Sequence, residues 1–356
     1  MRRSVAAGLS IGLLAAASAA FGEPQQQAGV KAEARVERVV LDVLAVDPYG
    51  EAIPDLPPSA FRVLVDGRDV ALEAADWIPA PPRSAHDAAR AEAPRSDAAP
   101  APPPAEGSSA VPEGGRLFVF FIQTDFARVG IRVKGQMRLS QAAVKFLDEL
   151  RPDDRVAVLS YDSRLKLRLD FTGDRRRVEA AIFESLKTDI PEPLPPGPEP
   201  SLARYLDFRS GAKAATVEMG MLVTARALLA LPGPKWLLYL GWGNQVDRNP
   251  RDPEWWTAAV HMLRAARATV FTLDVTDADY HTLETGLRVL ADTTGGTYAK
   301  THQFPTNALA RVFRHLEGRY ELVFALPDSR RGGREVKVTL VGRKGDVLHR
   351  PAIFVE

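Results

Sequence analysis

Cysteine is absent from all 356 residues. No disulfide staples this fold and no thiol can carry a lipid, so its stability must come from buried apolar surface. A small disulfide-built extracellular module is thereby excluded. A surplus of either charge is also missing: 46 Lys and Arg stand against 45 Asp and Glu, a net charge of +1. That balance leaves no electrostatic footprint for nucleic acid or for an anionic membrane surface. Catalytic signatures are missing as well. There are six His, and neither His261 nor His281 lies in an HExxH pattern. No GxSxG nucleophile elbow occurs. Gly295-Gly296 leads into a strand rather than a helix, so it is not a phosphate-cradling loop. No internal repeat is found.

What is present is 46% hydrophobic and 26% charged. That is a globular composition, long enough for more than one core. Arg2 and Arg3 precede the small apolar run Val5–Ala20, and both Ala17-Ser18-Ala19 and Ala20-Phe21-Gly22 fit a small-x-small cleavage site. This predicts a signal peptide over residues 1–22 and a periplasmic or secreted protein. The run is shorter than the ~20 residues a span needs, so no transmembrane span is expected in the mature chain.

Residues 34–79 read as a β module. Val39, Leu41, Val43 and Ala45 share one face, with Arg38 and Asp42 on the other. Phe61–Val65 closes at Asp66-Gly67, and Val70–Ala74 is expected to return as its hairpin partner. Residues 80–115 are Ala, Pro and Ser with almost no large apolar side chain, the composition of an interdomain linker. From Arg116 strands alternate with helices. Strands are expected at Leu117–Ile122, Arg155–Tyr161, Leu165–Phe171, Trp236–Leu240, Thr269–Val275 and Thr297–Lys300. Helices are expected around Leu139–Leu150, after the cap Asp174, and at Ala212–Leu231, Glu254–Arg267, Leu283–Ala291 and Asn307–Leu316. Pro191–Pro200 (PEPLPPGPEP) interrupts this order as a loop. The alternation predicts an α/β fold over residues 116–318, a doubly wound, mostly parallel sheet flanked by small β modules. The tail, 319–356, holds strands at Tyr320–Ala325, Glu335–Val341 and Val347–Val355. It forms either an independent module or the complement of the N-terminal one.

The first strand of that sheet delivers Gln123-Thr124-Asp125 to its C-terminal end, where open α/β sheets bind ligands. It resembles the first strand of a von Willebrand factor type A (VWA) domain. Further pieces resemble bacterial secreted VWFA-related proteins: FRVLVDG at 61–67, LRPDDRVAVLSYDS at 150–163, LDFTGD at 169–174, LADTTGGTY at 290–298, and YELVFA with EVKVTL in the tail. The resemblance covers most of the chain after the signal peptide. It implies a VWA/Rossmann-like sheet and protein binding at its top. In that family Asp-x-Ser-x-Ser on the first loop, a Thr on a second and an Asp after the fourth strand hold a divalent metal. Here the first loop reads Gln123, Asp125 and Ala127, and the fourth strand ends Leu240-Gly241. The expectation is therefore a degenerate metal-ion-dependent adhesion site and no cofactor.

Recognition is then expected to use Gln123, Thr124, Asp125, Trp242 and Asn244, binding an unidentified protein partner without enzymatic activity. The alternative that keeps Mg²⁺ or Mn²⁺ uses Asp125, Thr216 and Asp247 as ligands and implies metal-dependent adhesion. A periplasmic hydrolase would draw on Asp274, Asp277 and Asp279 at the rim of the fifth strand. A purely structural envelope component would use the β modules for its contacts. Two further features stand out: Trp255-Trp256, and the alternating cations Arg164, Lys166 and Arg168 beside Arg175-Arg176-Arg177.

Overall fold

An apolar run with no polar interruption can lie in a sheet only where both faces are covered. Leu117–Gln123 is such a run, and in the computed structural model every one of its residues is buried. The structure describes residues 38–80, 115–124, 130–244, 253–276, 280–301, 305–326, 328 and 330–355. The expected signal peptide, most of the linker, and Asp125, Ala127, Asp247, Asp277 and Asp279 lie outside the described residues.

The N-terminal strands are β1 (Arg38–Val46), β2 (Phe61–Val65), β3 (Arg68–Val70) and β4 (Leu72–Pro79). The α/β region follows as β5 (Leu117–Gln123), α1 (Gly130–Leu147), β6 (Arg155–Tyr161), β7 (Leu165–Thr172), α2 (Arg175–Glu184), α3 (Leu202–Tyr205), α4 (Phe208–Ala212) and α5 (Val217–Leu229). It continues with β8 (Lys235–Gly241), α6 (Pro253–Ala265), β9 (Ala268–Asp274), α7 (Glu284–Thr294), β10 (Tyr298–Lys300) and α8 (Pro305–Arg314). The tail strands are β11 (Gly318–Ala325), β12 (Gly332–Leu340), β13 (Asp346–His349) and β14 (Ala352–Val355).

The large sheet has the order β10-β9-β8-β5-β6-β7. All its neighbours pair in parallel except β6 and β7, which form a hairpin. This is the expected doubly wound, mostly parallel sheet. Alternation along β5 divides the core. Val119 and Phe121 face a cluster built with Leu222, Trp256, Leu263 and Leu287. Phe118, Phe120 and Ile122 face Leu139, Phe146, Trp242 and Leu309. Asp174 caps α2 by accepting from the backbone N–H groups of Arg176 and Arg177.

Both chain ends build one sandwich. One sheet runs β13-β1-β11-β4 and the other β14-β12-β2-β3. They share a core of Leu41, Val43, Phe61, Val63, Tyr320, Leu322, Phe324, Val336 and Val338. Of the two options for the tail, the structure therefore takes complementation of the N-terminal strands. The seam with the α/β sheet carries an ion network. Asp42 on β1 accepts from Arg267 (2.8 Å at Nε) and Arg319 (3.1 Å), and Glu321 bonds both arginines at 2.9 and 3.0 Å.

Three expectations about elements need correction. Val70–Ala74 is not one hairpin partner: Arg68–Val70 pairs with β2, while β4 crosses to pair with β11 in the other sheet. Val347–Val355 is likewise two strands, β13 on β1 and β14 on β12, divided at Arg350-Pro351. The long helix starts at Val217 rather than Ala212, because the Thr216 side chain accepts from Met219 N and closes the first turn there. The alternating cations do not form a free patch. Lys166 pairs with Asp162 at 2.6 Å, and Arg168 bonds Asp189, Ser160 and the carbonyl of Lys187.

Candidate functional site

Parallel strands β5, β8 and β9 all end at one edge of the sheet, so their last residues converge there. Gln123 closes β5. Its Oε1 accepts from the Tyr239 hydroxyl (2.9 Å) and from the backbone N–H groups of Trp242 (3.1 Å) and Gly243 (3.3 Å). Its Nε2 donates to the Gly243 carbonyl at 3.2 Å. Two N–H groups aimed at one amide atom and a carbonyl at the other fix which way round the amide sits. Burial pushes the Tyr239 hydroxyl pKa well above its ordinary value, which keeps it a donor. The side chain thus ties the end of β5 to the turn after β8.

The same tie shapes its surroundings. A Cβ on Gly241 would lie 2.5 Å from Gln123 Oε1, so only glycine fits beside the amide. Gly243 has φ +124, and a Cβ there would meet the Leu283 carbonyl at 2.4 Å. Thr124 is committed too, its N–H donating to the Tyr161 carbonyl at 2.7 Å. Trp242 is buried in the core beneath this edge, in the cluster that holds Leu240 and Leu273. Asn244 is buried against Gly286, whose Cβ would lie 2.0 Å from Asn244 Oδ1, and that oxygen has no hydrogen-bond partner.

The sequence expectation had Gln123, Thr124, Trp242 and Asn244 presented to a partner. The structure brings them together but buries all four, with 4% or less of each exposed. Gln123 and Thr124 hold the backbone of this edge rather than offer a surface, because a buried strand-end polar group must find its partners within the protein. Among the described residues, two aromatic side chains at this edge are exposed. Trp255, in the first turn of α6, is 40% exposed, and Tyr280, after β9, is 71% exposed. Trp256 points inward and fills the core instead.

A hard divalent cation needs several oxygens with free lone pairs. Gln123 Oε1 already takes three donors, Gly241 has no side chain, and Thr216 Oγ1 accepts from Met219 N at 3.3 Å. Gln123 and Gly241 therefore offer no free ligand atom, and Asp125 and Asp247 lie outside the described residues.

One neighbouring cluster has mixed ligand chemistry; from the sequence only Asp274 is a candidate, His281 being set aside for want of an HExxH pattern. Asp274 ends β9, fully buried. Its Oδ1 accepts from Thr276 N (2.9 Å) and Oγ1 (2.8 Å). Its Oδ2 accepts from His281 Nε2 (2.7 Å) and the Tyr298 hydroxyl (2.8 Å). Glu284 opens α7 close by and pairs with Lys300 at 2.9 Å and with Arg288. Burial pushes the Glu284 carboxyl up, but hydrogen bonds from Lys300 and Arg288 outweigh it and hold the pKa below the usual range. The Lys300 ammonium thus supplies a positive charge to the Glu284 carboxylate. His281, Glu284 and Lys300 lie 7, 10 and 26 residues beyond Asp274, a spacing that matches no metal motif; the available signal was a strand ending in Asp at this edge.

No family model matches this chain, and no curated relative matches it. It is similar in fold to solved structures of VWA domains. A von Willebrand factor type A protein from Catenulispora acidiphila aligns over 67% of this chain and 65% of its own, at 12% identity and a TM-score of 0.41. This chain therefore spans about two thirds of that protein's length. An aerotolerance-related membrane protein from Bacteroides fragilis aligns over 56% of this chain and 98% of its own, at 12% identity and TM-score 0.40. The SpRpn10 VWA domain aligns over 55% and 93%, at 8% identity and TM-score 0.35.

Proposed function

We propose that this is an exported, non-enzymatic interaction protein whose VWA-like sheet binds a protein partner without a metal. One observation carries the reading. Where the resembled family puts a metal-coordinating carboxylate, Gln123 supplies a neutral amide whose oxygen and nitrogen are both spent inside the protein. Contact then falls to the exposed aromatics of the same edge, Trp255 and Tyr280. Aromatic side chains flanked by polar loops are efficient anchors, since they bury much area at little entropic cost.

Titration calorimetry with Mg²⁺ and with Mn²⁺ tests the metal-free part. No stoichiometric binding is expected; tight binding abolished by Asp125→Ala would overturn it. Pull-down from periplasmic extract tests the surface. The double variant Trp255→Ala/Tyr280→Ala should keep the wild-type circular dichroism spectrum and lose the partner, and retention of the same partner would refute the aromatic contact.

A further inference from the structure

The loop between α2 and α3 carries chemistry that the reading above does not use. In PEPLPPGPEP, residues 191–200, every position is a proline or directly precedes one. Proline locks its own φ near −65°, and its ring pushes the preceding residue out of the helical region into extended or polyproline II (PPII) backbone. Local sterics alone therefore drive the whole segment toward a left-handed PPII helix with three residues per turn.

The exposure pattern has that period, and the backbone runs without a bend from 191 to 197 before bending at 198–200. Pro191, Leu194, Gly197 and Pro200 are half-buried, and the six residues between them are exposed. One edge in three faces the protein. Leu194 packs against the core cluster on that face of the large sheet. The other two edges face solvent, one carrying Glu192, Pro195 and Pro198, the other Pro193, Pro196 and Glu199. No residue of the segment has positive φ. Among the described residues, 191–196 make no hydrogen bond, so their carbonyls remain open.

Both ends are pinned to β7. Before the segment, Arg168 bonds Asp189 at 2.7 Å and the Lys187 carbonyl at 2.9 Å. After it, the carboxylate of Asp170 accepts from Ser201 Oγ and from Leu202 N, both at 2.6 Å. Gly197 is held from both sides: its N–H donates to Ser201 Oγ and its carbonyl accepts from Arg204. Glu199 is engaged by Arg204 at 3.1 Å and by the Tyr205 hydroxyl at 2.7 Å, whereas Glu192 has no ion pair among the described residues.

We propose that residues 191–197 are a docking ridge, a preformed PPII ligand for a partner domain with an aromatic-lined groove and a cation at its rim. Grooves of this kind read prolines spaced three apart and accept open carbonyls. Proline rigidity together with the pinned ends removes most of the ordering cost that a free peptide incurs on binding. The cation meets Glu192.

A WW domain, whose groove is built from aromatic rings, serves as the probe. The ¹⁵N-labelled domain is titrated with the full chain and its shifts are followed by NMR. Saturable shifts confined to the groove are expected. Pro195→Ala/Pro196→Ala, which interrupts both outward edges, should weaken binding at least about tenfold, the loss of roughly one anchoring contact. Its urea midpoint should match wild type, because both residues are exposed. The chain has a longer Pro run at Pro102-Pro103-Pro104. The triple Ala variant of that run should bind as wild type does. Absence of groove shifts, equal binding by the 195/196 variant, or loss confined to the 102–104 variant would each overturn the proposal.

Discussion

Replacing Gln123 by Glu is the sharpest probe of the strand-end tie, since it changes one atom's chemistry and almost no volume. The carboxylate keeps the three donors that reach Oε1, from Tyr239, Trp242 and Gly243. It loses the donation to the Gly243 carbonyl and places an anionic oxygen about where a donor stood, 3.2 Å from that carbonyl in the wild type. One lost hydrogen bond costs about 1 kcal/mol, and an unpaired buried acceptor facing another adds about 1–3, so the variant should lose about 2–4 kcal/mol at pH 7.5. Protonated Glu can donate where the amide did. Its folded pKa is therefore raised by about 1.5–3 units from an unfolded value near 4.3, to about 6–7. For an acid raised in this way, the native state binds the proton more tightly than the unfolded chain. The penalty is then absent below about pH 4.3 and grows as pH rises through the folded pKa. Urea denaturation followed by tryptophan fluorescence at pH 4.5, 6 and 7.5 reads this, with the wild type measured alongside so that other titrating groups cancel. A penalty that is the same at all three pH values, or below about 0.5 kcal/mol at pH 7.5, would show that the amide does not hold the turn as described.

Two further tests address the seam and the base of the sheet. Asp42→Asn removes the carboxylate shared by Arg267, Arg319 and Arg350 and should cost about 2–3 kcal/mol by urea denaturation, less than the roughly 3–5 for breaking a fully buried pair because the site is partly open to water. Burial pushes the Asp42 carboxyl up, but the Arg267 hydrogen bond and the charges of Arg267, Arg350 and Arg319 outweigh it and lower its pKa. Its contribution is thus full above about pH 4 and fades as pH falls through the lowered value, so wild type and variant should converge in acid. Lys235 is buried at the start of β8 with its Nζ donating to the carbonyls of Leu231 and Ala266, and burial pushes its pKa down to about 8. Between pH 8 and the ordinary lysine value of 10.5 the unfolded chain binds the proton better, so wild-type stability relative to Lys235→Met should rise with pH across that window. A flat difference in urea midpoint would refute it.

Much of the architecture was legible because it rests on local rules. A continuous apolar run such as Leu117–Ile122 is stable only with both faces covered, and Asp174 placed before a helical face is a cap wherever it occurs. The Pro-rich loop at 191–200 was legible as a break in the alternation for the same local reason. The failures share a different cause. Val70–Ala74 and Val347–Val355 each read as one strand, since nothing in a short β-rich stretch says which of two packed sheets its halves will join. Gln123 and Asn244 were placed at the correct edge but expected at its surface. Their burial follows from which backbone groups arrive opposite them, and those come from Trp242, Gly243 and Gly286.

By itself, the order of residues determined the mostly parallel sheet with its strand–helix alternation and the absence of covalent staples. These follow from hydrophobic period, backbone sterics and residue chemistry, which act over a few neighbours. Only the tertiary structure decided that the two chain ends build one sandwich, that Asp274, His281, Glu284 and Lys300 meet, and that one edge in three of the proline segment faces inward. Those outcomes depend on groups far apart in sequence satisfying each other's charge, hydrogen bonds and volume, which happens only once the chain is packed.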